Sequence, residues 1–145
     1  MVRISAVITL TFAALAAAVP MQTQRRQTGD LDCNLARLKI IFDVAASKKL
    51  VSQINATDLP TANALAIAQT SLDSVNSGIQ DILAAIFDAK NAPALSRTQV
   101  SDGLDAARSA LAIIKDPSLN ATVAEAQARI LTAGQDGDKV VAECK

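Results

Sequence analysis

Apolar residues recur at helical spacing along most of the chain beyond residue 30. Leu65, Ala68, Leu72, Val75, Ile79, Ile82 and Ile86 advance in alternating steps of three and four without a miss. That is the seam of a helix packed in coiled-coil fashion. Pro60 suits its first turn, and the pattern runs to about Lys90, giving the longest helix, roughly 45 Å at ~1.5 Å per residue. Beside the seam, the small residues Ala64, Ser71, Gly78 and Ala85 recur every seven positions. They admit a neighbouring helix closely or leave a groove, and Gly78 is a candidate bend.

Three further segments share this periodicity. A first helix is expected from Cys33 to Ile54, with an apolar face that includes Leu38, Ile41, Phe42 and Ala45. Asp30 and Asp32 stand at its start, where the helix dipole favours negative charge. Asn91-Ala92-Pro93 interrupts the pattern, and Ser96-Arg97-Thr98-Gln99 then reads as a capping box opening a third helix. Its seam is Val100, Leu104, Ala107, Leu111 and Ile114, ending at Lys115 before Asp116-Pro117. The fourth seam is Leu119, Val123, Ala126, Ile130, Ala133, Gly137, Val140 and Cys144, with a kink or break expected near Gly134. Four amphipathic helices with short connections predict an all-α, up-down-up-down four-helix bundle.

Residues 1–18 read differently. Met1-Val2-Arg3, the apolar run from Ile4 to Leu15 and the small residues Ala16-Ala17-Ala18 have the form of a secretory signal peptide with an A-x-A cleavage site. The run is short for a membrane anchor. Residues 19–30 form a polar connector whose Arg25-Arg26 pair is a candidate processing site, leaving residues 31–145 as the helical domain. A secreted protein, extracellular or in a cell wall, is the expected product.

Export gives the cysteines meaning. Cys33 and Cys144 are the only two in the chain, and an even count in an oxidising compartment favours a disulfide. An up-down-up-down bundle brings the start of helix 1 and the end of helix 4 to one pole, where the two sulfurs would meet. Intermolecular pairing is the alternative. Two thiols without histidine make a poor zinc shell. Asn55-Ala56-Thr57 and Asn120-Ala121-Thr122 are N-glycosylation sequons, and the same topology puts both at the opposite pole.

Composition narrows the chemistry. There is no His, Trp or Tyr, and beyond the signal only Phe42 and Phe87 are aromatic, so the core must be built from small and aliphatic side chains. Without histidine, Ser-His-Asp and Cys-His catalysis are excluded, and no phosphate-cradling glycine loop is present. Asp73, Asp81 and Asp88 fall away from the helix 2 seam and read as a solvated face. Asp102 and Asp105 read as dipole partners near the start of helix 3. No catalytic residue, metal or cofactor is expected. Formal charge is zero, and no basic patch with interleaved aromatics points to nucleic acid.

Asp32-Cys33-Asn34-Leu35-Ala36-Arg37, the Ala-rich seams, Gly103-Leu104-Asp105-Ala106-Ala107 and the closing Val140-Val141-Ala142-Glu143-Cys144 together resemble the fungal hydrophobic surface binding protein A family, which includes cell wall galactomannoproteins. The resemblance is one of helical pattern and composition over nearly all of the chain after the signal, although many relatives lack the terminal cysteine pair. It implies a secreted or wall-associated bundle that adsorbs to hydrophobic surfaces, assists secreted esterases, meets wall polysaccharide, or holds fatty acids between its helices. Leu72, Val75, Ile79, Leu104, Leu111 and Ile130 are the expected lipid contacts in a monomeric protein, against the strong alternative that they are simply core. A secreted protein-binding effector or inhibitor is the competing expectation.

Overall fold

The computed structural model describes residues 31–144, so the signal peptide and the Arg25-Arg26 pair lie outside the described residues. Four α-helices follow in order: α1 (Leu31–Gln53), α2 (Leu59–Phe87), α3 (Ala94–Leu111) and α4 (Asn120–Glu143), the last entered through a 3-10 turn at Pro117–Leu119. No strand occurs among the described residues. Asp58 caps α2, its carboxylate accepting from the Thr61 amide at 2.7 Å, with Pro60 in the first turn. Two residues past the helix's end at Phe87, Ala89 takes the left-handed conformation with φ 55° while the Lys90 amide donates back to the Ala85 carbonyl at 2.8 Å. Neither Gly78 nor Gly134 interrupts its helix.

The helices associate as two tight antiparallel pairs, α1 with α4 and α2 with α3, which meet along thinner seams. Cys33 and Cys144 form a disulfide, with Cα atoms 5.3 Å apart, joining the start of α1 to the end of α4. The α2–α3 pair is close because both helices offer glycine at the contact. A Cβ on Gly103 would lie 2.6 Å from Val75 Cγ2 and 3.0 Å from the Ser71 carbonyl oxygen, and one on Gly78 would lie 3.0 Å from the Ser96 carbonyl oxygen. The small-residue row of α2 is therefore an approach surface for α3.

Three local expectations are corrected. First, the buried face of α1 is Cys33, Ala36, Ile40, Asp43, Val44, Ser47 and Val51, while Leu38, Ile41, Phe42 and Ala45 are exposed. Large apolar residues line both sides of this helix, and the side with the smaller ones packs against α4. Asp43 goes inward because Arg129 of α4 donates to it at 3.1 Å. Second, the capping box does not form. Helix α3 opens at Ala94, so Ser96 is buried within it, and the Gln99 amide donates across to Ser74 at 3.0 Å. That early start also removes the dipole role of Asp102 and Asp105, which lie beyond the first turn. Third, α3 ends at Leu111, four residues before Lys115, although Ile114 still turns inward.

Candidate functional site

The half of the bundle away from the disulfide is solidly filled. Val51, Ala68, Leu72, Ala107, Leu111 and Ala126 are fully buried there. Towards the disulfide the packing opens. The α2 seam continues as Ile82 and Ile86, but these side chains and Leu83 are only partly buried. The space facing them is a cleft of about 840 Å³ between the two helix pairs.

Its floor is apolar: Ile40 from α1, Ile79, Ile82, Leu83 and Ile86 from α2, Val100 and Leu104 from α3, Ile130 and Val140 from α4. Two sequence features keep it open. Gly134 and Gly137 stand on the α4 wall, and a Cβ built on either meets nothing within 4 Å. This is the opposite of the crowding at Gly78 and Gly103. In addition, no aromatic ring fills the gap, because Phe42 and Phe87 are 66% and 87% exposed. Gly137 thus occupies the expected seam position of α4 without a partner helix against it, and Asp136 is buried beside it, held by Lys139 at 2.8 Å.

The rim is polar and carries three arginines, Arg37, Arg97 and Arg108, against two aspartates, Asp105 and Asp138. Burial lowers the pKa of the Arg37 guanidinium from its usual value, a sign that this cation is partly withdrawn from water. It donates to Asn34 Oδ1 at 3.3 Å. The disulfide closes one end of the cleft, with Cys144 on its wall.

Of the six expected lipid contacts, Ile79, Leu104 and Ile130 line this cleft. Leu72, Val75 and Leu111 do not; they are fully buried in the closed half. Arg37, Arg97, Arg108, Gly134 and Gly137 were not anticipated at the site. The signal for Gly137 was present in its seam position, but a glycine there reads equally as a close helix contact.

Asn55 and Asn120 are both exposed, in the α1–α2 connection and at the start of α4. Thr57 of the first sequon donates to Asp116, just ahead of the second, at 3.4 Å. Both acceptor sites therefore share the pole away from the cleft. The carboxylates Asp73, Asp81 and Asp88 are exposed, Asp73 paired with Lys48 and Asp88 with Lys90. Among the described residues there is no cluster of three or more His, Cys, Asp or Glu able to hold a metal, and no helix is long and apolar enough to cross a membrane.

The chain matches no protein-family model, no curated protein and no solved structure. Its functional reading therefore rests on the cleft and on the sequence.

Proposed function

We propose that this is a secreted lipid-binding protein, extracellular or wall-associated, that takes the acyl chain of a fatty acid into the cleft between its helix pairs. The observation that carries this reading is an 840 Å³ cleft with an apolar floor, on whose α4 wall stand two glycines where a Cβ would meet nothing within 4 Å. The volume lies within the ~300–1,000 Å³ of small-molecule sites. The disulfide and the signal-like leader support export.

Burial drives the binding. Ten methylenes at ~0.8 kcal/mol each amount to roughly 8 kcal/mol gross, which association and ordering costs reduce to an affinity in the micromolar range or weaker. At the rim, a carboxylate forms charge-assisted hydrogen bonds with an arginine, the stronger kind because one or both partners are ionised. Chain inward and head outward is the orientation that this polarity favours. The resemblance to hydrophobic surface binding proteins points the same way. No group in the cleft is assigned a catalytic role.

The test is a titration of delipidated protein with a fluorescent fatty acid, on the wild type and on Gly137→Leu. The leucine projects into the cleft from the α4 wall, where a Cβ meets nothing within 4 Å. Saturable binding by the wild type, weakened at least tenfold by G137L with no loss of helicity, is the expected result. No saturable binding by the wild type, or equal binding by both proteins, would overturn the reading.

A further inference from the structure

Helix α1 carries a second apolar stripe that the fold leaves uncovered. Leu31, Leu35, Leu38 and Phe42 are 79%, 47%, 63% and 66% exposed. Their spacing is four, three, four, and Ala45 extends it before Lys49 ends the run. At ~3.6 residues per turn the stripe lies opposite Ile40, so α1 is apolar along two facing sides. One side is satisfied by the bundle, whereas a helix with apolar residues on both sides is characteristic of one covered on both.

The geometry points to a second copy of this chain as the cover, packed antiparallel along α1 about a twofold axis. Three features select that occupant. First, the spacing is that of a coiled-coil seam, which is matched by another helix of the same spacing and not by a flat surface. In the antiparallel register Leu35 stacks on the partner's Leu38, and Leu31 on the partner's Phe42. Second, the flanks are self-complementary. Asp32 and Lys39 are exposed on the same edge of the stripe, and that register sets Asp32 opposite the partner's Lys39 twice, once on each side of the axis. A twofold interface needs this kind of self-complementarity. Third, the area suits a weak, reversible dimer. Even at the ~200 Å² of an aromatic side chain, the four exposed side chains offer at most about 500 Å² per copy, so the pair stays below the ~1,200 Å² of standard interfaces, in the range of weak, transient ones. The sequons, at the other pole, leave the stripe clear.

The proposal concerns the outer face of α1 and is independent of what the cleft holds. Sedimentation velocity on the secreted, oxidised protein tests it. A reversible monomer–dimer equilibrium is expected, with Leu38→Glu raising the dissociation constant at least a hundredfold while circular dichroism stays unchanged. Charge swaps give a sharper readout. Asp32→Lys alone and Lys39→Asp alone should each weaken self-association about tenfold, and mixing the two variants should restore dimers as a heterodimer. A wild type that sediments as a monomer at millimolar concentration would overturn the proposal. So would a dimer indifferent to L38E, or a monomer whose stripe instead binds phosphatidylcholine vesicles.

Discussion

At the scale of single residues, Asp43 decides which way α1 faces. Its side chain is 8% exposed and is held by Arg129, itself 42% exposed. A pattern reader assigns the large residues Leu38 and Phe42 to the core and a carboxylate to the surface. The structure does the reverse, because an ion pair between two helices lets the smaller stripe close against α4. Breaking such a pair from one side strands a buried charge, whereas replacing both partners need not. Arg129→Met should therefore lower stability by about 2–3 kcal/mol. The double variant with Asp43→Leu should recover most of that loss. Urea denaturation of the three proteins measures it, and additive losses would show that the two side chains are not coupled.

Among the helices, the same residue type has two opposite uses. Gly103 is required by the approach of α2, while Gly134 faces open space. Gly103→Ala forces Val75 and the Ser71 carbonyl aside and should cost about 1–3 kcal/mol, the usual penalty of overpacking. The identical change at Gly134 adds helix propensity at no steric cost and should stabilise by up to about 1 kcal/mol. Thermal melts of the two variants should move in opposite directions; a shared direction would contradict the described packing. The four helices themselves were legible from the three-four spacing of Leu65 to Ile86 and of Val123 to Ala133. Their ends were less so. Ser96 to Gln99 has the letters of a capping box, yet Gln99 spends its side-chain amide on Ser74 of α2, a contact distant in sequence.

For the whole molecule, the disulfide closes a loop over a sequence separation of 111 residues. Cross-linking so long a loop restricts the unfolded chain, a chain-entropy effect of ~4.7 kcal/mol for a loop of 100 residues. Reduction, or the paired change Cys33→Ser with Cys144→Ser, should lower stability by roughly 2–5 kcal/mol. It should also weaken fatty-acid binding, since the bond ties together the two helix ends at the closed end of the cleft. Denaturant midpoints and the same fluorescent titration check both effects. Unchanged binding in a destabilised but folded variant would confine the disulfide to stability.

The helical class, the helix count and the joining of Cys33 to Cys144 follow from spacing and cysteine number, because helical periodicity and chain closure are local or topological facts. The cleft, the outward stripe of α1 and the inward Asp43 follow only from the assembled bundle. A seam residue such as Leu72 or Ile82 carries the same letter-level signal whether a neighbouring helix lies against it or stands off. Distance between helices is set by the summed fit of all four, with Gly103 drawing one pair together and Gly137 leaving the other side open.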